Sequence, residues 1–269
     1  MIGNIIGFAL VLLLAAILWQ AGLSPMTPLP QILAALTIAV IFVHAVLALG
    51  WLNAIGFAAI VLAVTFAVEN IGAATGFPFG RYYFVVGTEL PHVGRIPIIV
   101  GPLYFGVGYG AYVIAVLIAR DGRATPLIAA IAMTVWDLAM DPVNSTLEGL
   151  WAWHDGGRYF GVPLSNFAGW FFEMLIVFAA VRIFLRWRGA VFDFFTRSFW
   201  LVPILLYLAA GLSQVAPWLT AGDAQVLDAA GHVWSALAIH RAAVLVAVLG
   251  MAPLAGLALW RLRGFNHGV

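Results

Sequence analysis

Charged residues are scarce in this chain of 269 residues: Asp, Glu, Lys and Arg together make up 9% of it, whereas 64% of the residues are hydrophobic. A water-soluble domain carries about 25% charged residues and about 45–50% apolar ones. So few charges cannot cover a surface that faces water. The composition therefore excludes a soluble globular domain and predicts an integral membrane protein.

Cysteine and lysine are missing altogether, and all 12 basic residues are arginine. The lack of cysteine excludes disulfides, thiolate metal sites and a cysteine nucleophile. The lack of lysine excludes a Schiff base, and with it a retinal photoreceptor of the usual kind and a PLP-dependent enzyme. The formal net charge is +1 and no block of basic residues occurs, so nucleic acid is not an expected partner.

Motifs of cofactor chemistry are also missing from the sequence. No paired-histidine motif of the HxxH type is present, which argues against a membrane di-iron hydroxylase or desaturase. The phosphate-binding loop, the dinucleotide fingerprint and the GxSxG elbow are absent as well. We therefore expect no metal and no cofactor.

Long apolar runs define the architecture. A hydrocarbon core of about 30 Å needs roughly 20 apolar residues per helix. Runs of that length occur at about 2–21, 30–50, 54–73, 97–119, 126–142, 166–187, 199–220 and 239–260. They predict an all-α polytopic membrane bundle of about eight transmembrane helices, with seven as the alternative, in a single integral membrane domain over residues 1–269. The first run lacks a basic start and a small-residue cleavage site, so we expect a retained helix rather than a signal peptide.

Two long polar connections, at about 74–96 and 143–165, are predicted to form loops on one face of the bundle. Eight arginines fall on the opposite face: Arg120, Arg123, Arg182, Arg186, Arg188, Arg197, Arg261 and Arg263. Because positive charge concentrates on the cytoplasmic side, this face is predicted to be cytoplasmic, with both termini inside.

Four acidic residues fall within predicted spans: Glu69, Asp137, Asp141 and Glu173. An ionisable residue inside a membrane is costly and is therefore a functional hypothesis by default. With alternating helix directions, all four lie at similar depth in the half of the membrane that carries the long loops. We expect them to converge on one pocket that the loops cover.

Helical spacing supports this convergence. Asp137 and Asp141 are four residues apart and share one helical face, and Asn166, Trp170 and Glu173 lie on one stripe of the following span. Carboxylates in a medium of low dielectric repel each other, so at least one of the acids should hold a proton. A neutral carboxylic acid beside an ionised one is the arrangement that general acid–base chemistry uses. Pro142 is predicted to end or kink the helix at Asp141.

A purely structural interpretation stays open, in which the acids pair with Arg81, Arg95 or Arg158 and fix helix packing. Aromatic residues surround the acids in the sequence, and they too have two interpretations. They form either an interfacial belt or the lining of a site for a flat polyene and a cationic intermediate.

Six short motifs, in order, resemble the membrane carotenoid biosynthesis family. These motifs are Glu69-Asn70-Ile71-Gly72, Gly76-Phe77-Pro78-Phe79-Gly80-Arg81-Tyr82, Asp141-Pro142, Glu148-Gly149-Leu150-Trp151-Ala152-Trp153, Gly157-Arg158-Tyr159-Phe160-Gly161-Val162-Pro163 and Asn166-Phe167-Ala168-Gly169-Trp170. The resemblance covers residues 60–190 closely. Studied members of this family hydrate gamma-carotene-type or bacterioruberin-precursor ends. The resemblance therefore implies addition of water to a terminal isoprenoid double bond, giving a tertiary alcohol, in a bacterial or archaeal cytoplasmic membrane.

We expect the following roles from the resemblance and the spacing together. Asp137 or Asp141 donates the proton, Glu69 is the partner carboxylate that positions or deprotonates water, and Glu173 completes the catalytic set. The expected substrate-binding residues are Asn70, Arg81, Tyr82, Asn144, Trp151, Trp153, Arg158, Asn166 and Trp170. Among these the asparagines orient the acids, the rings line the end-group site, and the arginines tune the acids. The implied partners are an acyclic or half-cyclic carotenoid, water, the lipid bilayer and other enzymes of the carotenoid pathway.

Three alternatives remain at this point. A carotenoid cyclase or isomerase shares the protonation step but does not capture water. An intramembrane prenyltransferase is suggested by the Asp137-xxx-Asp141 spacing, which mimics a magnesium–diphosphate motif. A carotenoid-binding membrane protein without catalysis is the third.

Overall fold

The computed structural model describes residues 29–190, 197–220 and 222–263. Its helices are α1 (Leu29–Leu49), α2 (Trp51–Thr75), α3 (Val100–Ala119), α4 (Thr125–Pro142), α5 (Leu164–Trp187), α6 (Arg197–Leu212), α7 (Val215–Thr220), α8 (Ala236–Val246) and α9 (Ala252–Arg263). Its strands are β1 (Tyr82–Phe84), β2 (His92–Val93), β3 (Ile96–Pro97), β4 (Trp151–Trp153), β5 (Gln225–Leu227) and β6 (Val233–Ser235). The fold is thus mostly helical, with short strands confined to connections.

Within these described ranges, six helical stretches are long and apolar enough to cross a membrane. They are Trp51–Thr75, Val100–Ala119, Thr125–Leu147, Leu164–Trp187, Arg197–Thr220 and Ala236–Arg263. Helix α1 coincides with the second predicted span, and its apolar stretch Ala34–Leu49 is shorter. The prediction of a polytopic membrane bundle is confirmed, whereas the first predicted span, at about 2–21, lies outside the described residues.

Glycines with positive φ set both ends of α2. Gly50, at φ 80°, is the whole connection between α1 and α2. Gly76, at φ 81°, adopts the left-handed conformation, and its N–H donates to the Gly72 carbonyl at 2.7 Å. This is the usual glycine stop of a helix, and it ends α2 two turns after Glu69.

The α-helix α4 ends at Pro142, one residue beyond Asp141, in agreement with the prediction that the proline ends or kinks it there. Asp141 and Pro142 are helical, and the chain continues into a π-helical turn, Val143–Leu147. Asp141 therefore keeps the helical face that it shares with Asp137.

Helix α3 lies at the centre of the bundle, and every residue from Gly108 to Leu117 is buried. Small residues let its neighbours approach closely, as expected for helix packing in membranes. A Cβ at Gly110 would lie 3.2 Å from the Pro203 carbonyl oxygen of α6.

One end of the bundle, here called the arginine end, carries the arginines of the predicted cytoplasmic face. Arg182 and Arg186 of α5 both donate to the Asp121 carbonyl, at 3.2 and 3.3 Å. Arg197 at the start of α6 donates to the Arg263 carbonyl at the end of α9, at 2.6 Å. The sequence analysis grouped these arginines on one face by charge, and in the described residues they contact the link after α3 and the end of α9.

The opposite end, here called the hairpin end, carries the two predicted loops, which pair with each other. Strand β1 from the first loop lies antiparallel to β4 from the second, with Tyr82 opposite Trp153 and Phe84 opposite Trp151. Strands β2 and β3 form a small hairpin in the first loop. A third connection, which the sequence did not single out, forms the β5–β6 hairpin and packs Trp234 on Phe160, with ring centroids 5.6 Å apart.

Candidate active site

Glu69, Asp137, Asp141 and Glu173, the acid cluster, lie together inside the bundle toward the hairpin end. Each is no more than 6% exposed. Asp137 is close enough to Asp141, Glu69 and Glu173 to interact electrostatically with all three. Four acids from three helices therefore share one buried region.

Asn166 bridges the two aspartates of α4 from the start of α5. Its side-chain amide donates to Asp137 Oδ2 at 2.9 Å and to Asp141 Oδ2 at 2.6 Å. The second oxygen of Asp141, Oδ1, accepts from Trp151 Nε1 of β4 at 2.9 Å. Asp141 is thus held by one donor from a helix and one from the paired loops.

Two tyrosines hold Glu69. The Tyr82 hydroxyl of β1 donates to Oε2, and the Tyr104 hydroxyl of α3 donates to Oε1. Burial and the neighbouring Glu69 carboxylate raise the pKa of Tyr82 well above its usual range. The Tyr82 hydroxyl therefore keeps its proton and acts as a donor.

Glu173 differs from the other three acids. Both of its carboxyl oxygens are buried and have no hydrogen-bond partner among the described residues. The Thr65 hydroxyl of α2 lies close by and is likewise buried without a partner in the described part of the chain. Buried polar atoms are normally paired, so each exception calls for an explanation such as a ligand or a catalytic role.

Aromatic rings surround the acid cluster. Trp170 of α5 stacks on Tyr104, with centroids 4.5 Å apart and planes at 19°. Trp136 lies 6.2 Å from Trp170, and Trp153 lies 5.2 Å from Tyr82. Ring faces attract positive charge, so this environment suits a cationic intermediate.

Arginine does not neutralise the cluster in the part of the chain that the structure describes. Arg81 instead pairs with Asp155 at 2.5 Å on the surface, which lowers the pKa of the Asp155 carboxyl. Arg158 is exposed, and Arg95 contributes its backbone N–H to Asn70 Oδ1 at 2.7 Å. The interpretation in which these arginines pair with the acids finds no support in these contacts.

Two further expected binding residues, Asn70 and Asn144, show no side-chain contact with the acid cluster in the described structure. Asn70 donates to the carbonyls of Phe66 and Val93, at 2.7 and 2.9 Å, and so anchors the β2–β3 hairpin. A Cβ at Gly94 would lie 2.1 Å from Asn70 Oδ1, so the hairpin needs a glycine there. Asn144 is half-buried, and its carbonyl accepts from the Leu150 N–H at 2.9 Å.

Sequence reasoning missed Tyr104 and Thr65. Tyr104 places a hydroxyl one turn into an otherwise apolar span, and Thr65 precedes Glu69 by four residues and so shares its helical face. Both were weak signals, because tyrosine and threonine are common in apolar helices. Their partners come from other helices.

A family model described as carotenoid biosynthesis protein matches residues 29–230. The chain belongs to this family. The matched range includes every member of the acid cluster, and membership gives the chain a role in carotenoid biosynthesis.

Bisanhydrobacterioruberin hydratase of Haloarcula japonica is 25% identical to the chain over 110 residues. The alignment covers 39% of this chain and 37% of that protein, so it spans little more than a third of the relative's length. No solved structure matches the chain significantly.

Proposed function

We propose that the chain is a carotenoid hydratase, an enzyme that adds water to a terminal isoprenoid double bond and forms a tertiary alcohol without a cofactor. The observation that carries the proposal is the acid cluster, four buried carboxyl groups without a cationic partner in the described residues. The name of the Haloarcula relative supports the same reaction class.

The chemistry follows from the charges. Four carboxyl groups in a region of low dielectric cannot all be ionised, so the cluster holds protons. One carboxylic acid gives its proton to the CH carbon of the double bond, and the positive charge forms on the tertiary carbon, which carries the two methyl groups. Water adds there, and a carboxylate takes the released proton, so the net reaction consumes one double bond and one water.

The surroundings suit both reactants. Tyr104, whose hydroxyl donates to Glu69, stacks on Trp170, and Trp136 lies beside Trp170; rings near the acids would stabilise the cation. The carboxylates of Glu69 and Asp141 accept hydrogen bonds on both oxygens, as befits groups that receive a proton. Water would come from the hairpin end, where the cluster lies nearest to the bundle surface.

A prenyltransferase fits the site less well. Magnesium–diphosphate binding needs carboxylates directed at the metal and basic residues for the phosphates. Here Asp137 and Asp141 both face the Asn166 amide, and Arg81 is engaged with Asp155.

The test is expression in cells that accumulate an acyclic or half-cyclic carotene, followed by mass spectrometry of the pigments. A hydratase gives a product heavier than the carotene by one water. A cyclase gives a product of unchanged mass with a shifted absorption, and a binding protein returns the carotene unaltered. Either of the last two results would refute the proposal.

We also propose that the arginine end faces the cytoplasm and that the acid cluster lies in the outer half of the membrane, with both termini inside. The clustering of Arg182, Arg186 and Arg197 at one end supports this orientation. Reporter fusions after Arg123 and after Asp155 should fall on opposite sides of the membrane.

A further inference from the structure

We propose that Glu173 is the acid that protonates the carotenoid double bond and that Thr65 positions it. This assignment rests on the proposed function and narrows it to one proton donor. It differs from the sequence-based expectation of Asp137 or Asp141.

The hydrogen bonds divide the acid cluster into two kinds of group. Both oxygens of Glu69 accept from tyrosine hydroxyls, and both oxygens of Asp141 accept from Trp151 and Asn166. The Trp151 indole N–H can only donate. A proton placed on either acid would compete with these donors, so both are suited to receive a proton rather than to give one.

Glu173 has the opposite environment. It is 2% exposed, and neither oxygen forms a hydrogen bond in the described structure, although the Thr65 hydroxyl lies close by. Leaving a buried polar group unpaired is costly, so its retention needs a reason. A double bond offers no conventional hydrogen-bond partner, and the acid that serves it is therefore unpaired until the substrate arrives.

The position of Glu173 agrees with this role. It follows Trp170 by three residues, so both side chains lie on one face of α5. Trp170 in turn stacks on Tyr104, which places aromatic rings beside the point where the cation would form. Asp137, by contrast, already accepts from Asn166 at 2.9 Å.

Thr65 supplies the positioning contact. Its hydroxyl is fully buried, lies close to Glu173 and has no other partner among the described residues. Thr65 and Glu69 are four residues apart on one face of α2. We infer that this hydroxyl hydrogen-bonds to the Glu173 carboxyl group when the substrate is bound and so fixes which oxygen carries the proton.

The step balances without an oxidant or a metal. The O–H bond of Glu173 breaks and a C–H bond forms at the CH carbon of the double bond, while the π electron pair becomes that C–H bond and the dimethyl carbon becomes the cation. Water then forms the C–O bond at the cationic carbon and loses a proton to Asp141 or Glu69. Transfer of that proton through water to Glu173 restores the starting state.

The experiment compares full-length variants in a carotene-accumulating host and measures both carotene consumption and product mass. Glu173→Gln keeps the shape of the side chain but removes the acid, so consumption should fall about 100-fold or more. Glu173→Asp should recover part of it. Asp137→Asn, which keeps a group beside Asn166, should reduce consumption less than Glu173→Gln.

Thr65→Val removes the hydroxyl at nearly constant volume and should lower turnover and shift its pH profile, whereas Thr65→Ser should restore both. A merely structural role for Thr65 would leave the pH profile unchanged. Monodisperse protein that retains bound carotene in detergent shows that a variant is folded, and Glu173→Asp keeps the test valid if Glu173→Gln does not fold.

Consumption of carotene by Glu173→Gln within a few-fold of the unmodified protein would overturn the inference while leaving hydration intact. If the unmodified protein instead forms a product of unchanged mass, the proposed hydration fails, yet blocked consumption in Glu173→Gln still identifies the donor. If the unmodified protein consumes no carotene, both proposals fall.

Discussion

Asn166 carries the sharpest prediction, because one side-chain amide holds two carboxyl groups. Asn166→Leu keeps a similar volume but removes the hydrogen bonds to Asp137 at 2.9 Å and to Asp141 at 2.6 Å. The aspartates would then lie side by side with no donor between them. We expect loss of both hydration and thermal stability.

The magnitude follows from the number and type of bonds lost. A hydrogen bond to a charged group contributes about 1.5–3 kcal/mol and a neutral one about 0.5–1.5 kcal/mol. Repulsion prevents both aspartates from being ionised together, so one bond of each type gives roughly 2–4.5 kcal/mol. If this loss falls on the transition state, turnover should drop about 30-fold to 2,000-fold.

The matched control is Asn53→Leu at the arginine end. Asn53 donates to the Leu49 carbonyl at 2.8 Å and accepts from Arg188 at 3.2 Å, so the same substitution also removes two contacts, but far from the acid cluster. Hydrated product is measured by mass spectrometry, and stability by thermal unfolding in detergent. If Asn166→Leu retains turnover within a few-fold and unfolds no earlier than Asn53→Leu, the bridging role of Asn166 is refuted.

Two further predictions concern the contacts of the hairpin end. Tyr82→Phe and Tyr104→Phe each remove one donor to Glu69 and should each lower turnover by an amount equivalent to about 1.5–3 kcal/mol. In the double variant the two effects should not add, because both tyrosines act on one carboxylate. Strict additivity in a double-mutant cycle would contradict this prediction. Asp228 loses solvation on burial, but hydrogen bonds from Trp234 and His232 outweigh this and lower the pKa of its carboxyl. The ionised carboxyl of Asp228 therefore stabilises the hairpin above its ordinary pKa, and this stabilisation is lost as the pH falls through the lowered pKa. Asp228→Asn at neutral pH should increase hydrogen exchange in the β5–β6 hairpin. Unchanged exchange would argue against the role of Asp228.

Much of the helical architecture could be predicted from the sequence, because long runs of apolar residues identify membrane helices. The span predicted at about 166–187 corresponds to Leu164–Trp187, and that at about 54–73 to Trp51–Thr75. The end of the α-helix at Pro142 agrees with the local rule for proline, but that rule does not predict the π-helical turn that follows. The convergence of the four acids followed from their depth in alternating helices and needed no tertiary information.

The partners of those acids could not be predicted in the same way. The pairing of β1 with β4 brings Tyr82 and Trp153 together from residues 71 positions apart, through the register of two short strands. Arg81 and Asn70 lay within motifs beside the acids, yet the fold directs them to Asp155 and to the β2–β3 hairpin. Adjacency in sequence did not decide which side chains entered the cluster.

The sequence by itself determined that this chain is a membrane protein and that four acids fall within its helices, which makes them a functional hypothesis because charge inside a membrane is costly. It also determined which face of each helix carries them, since helical periodicity is local. Only the tertiary structure decided the hydrogen bonds of the acid cluster: which acids accept from Asn166, which acid accepts from Tyr104, and that Glu173 accepts from neither. Hydrogen bonds act over about 3 Å, so they depend on how helices and loops pack and not on the order of residues along the chain.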